Sequence, residues 1–267
     1  MPPALRRAQM LERIQRDGGV SVAELARTHG VSAITVHRDL EHLAREGLVE
    51  RVHGGARALS TPGATAGAPA IATAWSQRVE QAAPAKDAIA AHAAPLVKPG
   101  STIFLDASST ALQLARRLMD DPPNELTLVT SSPAIAYEMQ AEPVHVVVTP
   151  GELDQHMRMI AGRWTVEFVS QLNFDVAFVS AAGITLEEGL TTSRRPLADV
   201  VNAARAAAQR TVALIDASKF GRASLLTIMR VDDPDLIITD AGLPADVAQT
   251  YGAAGVNLET LSSKEAA

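Results

Sequence analysis

Cysteine is absent from this chain, and aromatic residues make up only 3% of it. The first absence excludes disulfide bridges and thiolate metal sites, and it fits a reducing compartment. The second means that any core must be assembled from Ala, Val, Leu and Ile. Hydrophobic residues reach 47%, enough for a large one. No apolar run approaches the roughly 20 residues of a membrane span, and the start, Met1-Pro2-Pro3-Ala4-Leu5-Arg6-Arg7, lacks the apolar stretch of a signal peptide. A cytoplasmic protein with no membrane partner is expected. His29, His37, His42 and His53 lie on different faces and lack ligand spacing, so no metal and no other cofactor is expected.

Charge is unevenly divided. Over residues 1–60, nine Arg face seven Asp or Glu, a balance of +2; the remainder holds 15 basic against 23 acidic groups, a balance of −8. A length of 267 residues leaves room for one small and one ordinary domain. A nucleic-acid contact therefore belongs to the N-terminal part, with modest and salt-sensitive non-specific affinity.

That part carries the strongest local signals. Leu5 to Arg16 reads as a first helix with Met10, Leu11 and Ile14 on one side, stopped by Gly18-Gly19. Ser21 and Glu24 form a capping box for a second helix, whose apolar face is Val22, Leu25 and Ala26; Gly30 ends it. Ser32 caps a third, in which Val36, Leu40 and Leu43 share one face. The opposite face presents Ser32, Thr35, His37, Arg38 and Glu41, the kind of surface a helix offers to a major groove. Leu48 to Gly55 then alternates and breaks at two glycines, as a β-wing does. The expected DNA-binding residues are Ser21, Ser32, Ala33, Thr35, His37, Arg38, Arg51, His53 and Gly54. Asp39 is assigned to orienting Arg38 or Arg45.

From Leu59 to Ala74 the composition, LSTPGATAGAPAIATA, reads as a linker. Beyond it, apolar β-branched runs alternate with helical segments. Strands are expected at Ser101–Leu105, Leu126–Val129, Val144–Thr149, Val176–Val179, Thr211–Ile215 and Leu236–Thr239. Helices are expected at Lys86–Val97, Ala111–Met119, Pro133–Met139, Trp164–Ser170 and Pro196–Ala208. Apolar on both faces, such strands predict an open, mostly parallel α/β sheet with helices on both sides. The domains are thus 1–58, a winged helix-turn-helix; 59–74, linker; 75–260, α/β; and 261–267, a frayed tail. Trp75 and Trp164 are assigned to packing.

Open α/β sheets bind ligands beyond the carboxyl ends of their strands. There the chain places Asp106-Ala107-Ser108-Ser109-Thr110, Thr130-Ser131-Ser132, Ser180-Ala181-Ala182-Gly183 and Asp216-Ala217-Ser218-Lys219. Free amides, small hydroxyls and a helix dipole together suit an anion such as phosphate. The expected ligand-binding residues are Lys86, Asp106, Ser108, Ser109, Thr110, Thr130, Ser131, Ser132, Gly183 and Lys219. Each hydroxyl taken singly also fits a helix cap.

Two runs, Val31-Ser32-Ala33-Ile34-Thr35-Val36-His37-Arg38-Asp39-Leu40 and Arg51-Val52-His53-Gly54-Gly55-Ala56, resemble the V-S-x-x-T-[IV]-R-R-D-L and R-V-H-G-G-A signature of DeoR-type bacterial regulators. Phe104–Thr110, Pro150-Gly151-Glu152-Leu153, Ala161-Gly162, Phe174–Phe178, Gly189–Thr192 and Asp216–Gly221 resemble the effector domain of that family. The chain departs from the pattern at His37, Ser108, Thr130-Ser131-Ser132 and Pro150. The resemblance implies a body similar to ribose-5-phosphate isomerase that senses phosphorylated sugars, a double-stranded operator as partner, and a homo-oligomer (dimer or tetramer). It implies a repressor of a sugar or related operon. The rival reading is a sugar-phosphate isomerase fused to a DNA-binding domain. Where related isomerases carry an acidic D-G-A-D-E cluster this chain has Ser180-Ala181-Ala182-Gly183-Ile184, so no catalytic residue is expected.

Overall fold

The computed structural model describes residues 6–7, 9–11, 13–14, 19–45, 49–52, 55–58, 75–139, 142–155 and 157–262. The linker 59–74 lies outside them. The chain divides into two compact units, 1–70 and 71–267.

In the first unit the described residues between 6 and 14 are helical, and Met10 and Ile14 are fully buried. Strand β1 (Gly19–Ser21) leads into the helix Val22–His29, and Ala33–Arg45 follows. The capping box forms as expected. The Glu24 amide donates to Ser21 Oγ at 3.3 Å, and Glu24 Oε2 accepts from the Ser21 amide. Gly30 closes the helix at φ 62°, in the left-handed region. Val36, Leu40 and Leu43 are buried against Leu25, Met10 and Ile14 in one core. Strands β2 (Val49–Val52) and β3 (Gly55–Ala58) form the antiparallel wing, and β1 adds a third strand on β3 that the alternation pattern did not predict. Gly55 admits that strand. A Cβ there would sit 2.4 Å from the Val20 carbonyl oxygen.

In the second unit the described residues include a seven-stranded sheet. Its strands are β4 (Thr102–Leu105), β5 (Thr127–Thr130), β6 (His145–Val148), β9 (Phe174–Val179), β12 (Ala208–Leu214), β14 (Leu236–Thr239) and β15 (Leu258–Thr260). All its pairings are parallel. Alternation explains the unbroken apolar runs. Ile103 and Leu105 pack on one face with the helices Ala83–Ala93 and Ser109–Asp120, while Phe104 packs on the other with Arg195–Ala206. The two-layered burial of such strands is the physical reason they read as continuous hydrophobics.

The order is β15-β14-β12-β9-β4-β5-β6. The chain runs outward from β4 through β5 to β6, returns to β9 on the other flank of β4, and runs outward again. The direction of winding therefore reverses between β4 and β9, and the crevice of an open α/β sheet opens at such a point. Short antiparallel elements follow the strand ends: β7 (Glu152–Asp154) with β8 (Met159–Ala161), and β10 (Gly183–Thr185) with β11 (Gly189–Thr192) and β13 (Leu226–Met229).

Two expectations are corrected. Trp75 is buried, but Trp164 is 68% exposed on the helix Arg163–Val169 and packs nothing inward. Leu261, expected in a frayed tail, is 4% exposed and its amide donates to the Thr239 carbonyl at 3.0 Å, extending the line of β15.

Candidate nucleic-acid interface and sensor crevice

Ser32, Ala33, His37, Arg38 and Glu41 are exposed on one side of the helix Ala33–Arg45, with Thr35 half-buried. Ser32 Oγ accepts from the Thr35 amide at 3.3 Å and lies 3.0 Å from Thr35 Oγ1, so the helix start is capped by a residue of the same face. Ser21 has another job. Its hydroxyl donates to Glu24 Oε2 at 3.0 Å and closes the capping box of the helix Val22–His29. The side chain of Arg51 and the whole of His53 and Gly54 lie outside the described residues. Asp39 makes no contact with Arg38 among the described residues, and the side chain of Arg45 lies outside them. Asp39 is 5% exposed, accepts from Arg6 Nε at 2.7 Å, and has Arg7 at 3.9 Å. Its carboxylate ties the first helix to the third, and Arg38 is left facing outward.

In the second unit the candidate ligand residues gather where β4 and β9 end. Asp106, 1% exposed, accepts the Ser108 amide on Oδ1 at 3.0 Å and the Ser180 amide on Oδ2 at 2.8 Å. Burial pushes its carboxyl up, while those same contacts from Ser108 and Ser180 pull the other way. Both oxygens are engaged by the backbone, so Asp106 braces the two strand ends.

The hydroxyls separate into two sets. Ser108 Oγ accepts from the Ala111 amide, Ser132 Oγ from the Ile135 amide, and Thr130 Oγ1 donates to the Leu105 carbonyl while accepting from the Ser132 amide. These three are structural caps and bridges. Ser109 and Thr110, buried in the first turn of the helix Ser109–Asp120, have no hydrogen-bond partner for their hydroxyls among the described residues. Ser131 Oγ is wholly buried and unpartnered. Gly183 is small for the sake of the fold. A Cβ there would lie 2.3 Å from the Arg222 carbonyl oxygen, which explains glycine without a ligand.

Lys86 is not a free counter-charge either. It is 4% exposed, and its ammonium donates to the Arg78 carbonyl at 2.5 Å and to the Gln81 carbonyl. It thereby satisfies carbonyls at the end of the helix Trp75–Glu80. Burial lowers its pKa to about 8; Asp216 opposes that fall, and Lys219 and Arg78 add to it. The unfolded chain therefore binds the extra proton between about pH 8 and the ordinary 10.5, and stability contributed here rises with pH through that window. Thermal melts of the full chain at pH 7.5 and about 9.5 are expected to show a gain that Lys86→Met loses. An identical pH response in the variant would refute it.

Two arginines were missed by the sequence reading. Arg78 lies on the helix Trp75–Glu80, its guanidinium 5.2 Å from the Trp75 ring centre and donating to the Met157 carbonyl at 3.2 Å. Its Nε is buried without a partner. Burial lowers its pKa; Asp106 and Asp154 act against this, and Arg194 reinforces it. Arg194 stands between β11 and the helix Arg195–Ala206. It was findable: it ends a strand before a helix, as the other candidates do, but β11 was not anticipated. Arg78 had no comparable signal. A separate groove of about 680 Å³ lies between the helices Arg163–Val169 and Arg195–Ala206, and none of the expected ligand residues lines it. Among the described residues no group of three His, Asp or Glu is placed to hold a metal ion.

A winged helix-turn-helix unit followed by a parallel α/β unit is the arrangement of a DNA-binding regulator with a sensor body. Residues 6–62 match the DeoR-like helix-turn-helix domain, and residues 81–241 match the DeoR C terminal sensor domain. The chain is 32% identical to the HTH-type transcriptional regulator GlpR of Haloferax volcanii over 97% of its own length and 98% of that protein's. It is 32% identical to GolR of Listeria innocua over 93% and 100%. It is 28% identical to the glycerol-3-phosphate regulon repressor of Escherichia coli over 97% and 99%. The chain belongs to the DeoR family of transcriptional regulators. Among solved structures, ribose 5-phosphate isomerase from Plasmodium falciparum aligns at a TM-score of 0.38 and 13% identity, over 52% of each chain. Among the described residues no helix is long and apolar enough to cross a membrane.

Proposed function

We propose that this regulator represses a sugar or related metabolite operon and that a phosphorylated sugar bound in the second unit relieves the repression. Ser32, Ala33, Thr35, His37 and Arg38 meet the operator in the major groove, and the wing residues Arg51, His53 and Gly54 meet its backbone. The phosphate is taken by the amides and free hydroxyls of Ser109 and Thr110, by Ser131, and by the cations Arg78 and Lys219. The observation that carries this reading is the reversal of winding at β4 and β9, with unpartnered hydroxyls and a buried, unpartnered guanidinium nitrogen in the unit that holds it. A catalytic isomerase is disfavoured by Asp106, whose two oxygens both accept backbone amides and so hold a scaffold rather than carry a proton. The protein acts as a homo-oligomer, so that two heads reach half-sites on one duplex; exposed Trp164 and Leu153 supply apolar surface for such an assembly. The ligand induces by binding the DNA-incompetent arrangement more tightly, and that difference limits the response.

The test is a thermal-shift panel of phosphorylated sugars on the full chain, because a ligand that binds only the folded state raises its melting temperature. One or more compounds are expected to stabilise, and Lys219→Ala to weaken that compound by about 10-fold or more, the loss of a charged hydrogen bond, with DNA affinity unchanged. Lys219 is half-buried, in the turn Ala217–Lys219. A panel with no binder, or an unaltered Lys219→Ala response, overturns the proposal.

A further inference from the structure

We infer that Ile34 reads the operator directly, its side chain packing on the C5-methyl group of a thymine in the major groove. The inference rests on the DNA-binding reading above and adds a base to it. Ile34 is the second residue of the helix Ala33–Arg45 and is 67% exposed, whereas Val36 and Leu40 on the inner face are fully buried. An isoleucine so placed gives the fold nothing. Its β-branched side chain is a weak helix former and its apolar surface stands in water.

What surrounds it names the partner. Arg38 is one turn further along and shares its side of the helix, four residues being the spacing of neighbours on one face. Ser32 and Thr35 cap the same end. The first turn has no acidic residue, so the positive end of the helix is unopposed; Glu41, exposed two turns on, is the acidic group on this side. A donor-rich, cationic helix start suits an anionic surface, and a lone apolar side chain at its centre needs an apolar patch on that surface. The major groove of duplex DNA offers both, phosphates along its walls and the thymine methyl on its floor. An apolar protein partner would match Ile34 but leave the Arg38 charge unpaired.

Duplexes are first enriched from a randomised library by the full chain, and each thymine of the enriched sequence is then replaced by uracil, which removes the methyl group alone. One thymine per half-site is expected to lose about fourfold in affinity for the wild-type chain on this replacement, the value of one buried methyl. Ile34→Ala is expected to lose a similar factor on the thymine duplex and to become indifferent to uracil at that position only. If Ile34→Ala binds as tightly as wild type, or keeps the full uracil response at every position, the inference is wrong. It is equally wrong if Ile34→Ala changes the mass of the assembly and not its duplex affinity, which would place the residue in a protein interface. Enrichment of no duplex by the wild-type chain would remove the DNA-binding reading itself, and this inference with it.

Discussion

Arg38→Ala is expected to lower affinity for an operator duplex by about 10- to 100-fold at constant salt, the range of one good side-chain contact to a base edge or phosphate. The residue is exposed, and it has no ion-pair partner among the described residues, so its loss leaves the fold intact. A gel-shift or fluorescence titration at two salt concentrations separates the alternatives. A phosphate contact lowers binding evenly across sequences and flattens the salt dependence; a base contact relaxes preference at one position. Unchanged binding would mean that the helix Ala33–Arg45 faces away from the duplex. The body's ligand response provides the internal control, since Arg38 belongs to the other unit.

The second large effect is expected at Asp39. Asp39→Ala removes one partner of a buried ion pair and takes that carboxylate from Arg6, whose side chain is only 10% exposed. Breaking such a pair costs about 3–5 kcal/mol, and a unit of this size is only marginally stable on its own core. The whole head is expected to lose its structure. Hydrogen exchange on the full chain reads this out. Amides of residues 33–45 exchange freely in the variant, while those of the parallel sheet stay protected and the operator is no longer bound. An apolar pair of similar volume, Arg6→Met with Asp39→Leu, is expected to restore much of the protection, because it replaces both charges together. Retained protection in Asp39→Ala would show that the Arg6 contact contributes little.

Local features made most of the head legible from its sequence. Ser21 and Glu24, Gly30, and the spacing of Val36, Leu40 and Leu43 each act within one or two helical turns, and each reappears in the structure. The central parallel strands were legible because both their faces are buried, which leaves an apolar run, whereas β15, a short and largely exposed edge strand, left no such run and was not anticipated. Elements defined by a distant partner were not. β1 and the short strands β7, β8, β10, β11 and β13 exist by pairing, and three or four residues carry no period. Asp39 was mispaired because its partner lies 33 residues upstream on another helix. At the candidate strand ends the sequence could not sort caps from free hydroxyls. Ser108 caps a helix and Ser109 beside it does not, and adjacent serines look alike until the backbone turns. Arg78 became visible only with its surroundings.

The scarcity of aromatics gives this protein a built-in optical reporter. Of its two indoles, one is buried with a guanidinium over its ring and the other stands in solvent. An aqueous quencher such as iodide silences the Trp164 emission first, and what survives comes from Trp75, beside Arg78. Any anion that draws Arg78 off that ring changes the surviving signal, so the binding proposed above can be followed by light in the unlabelled protein.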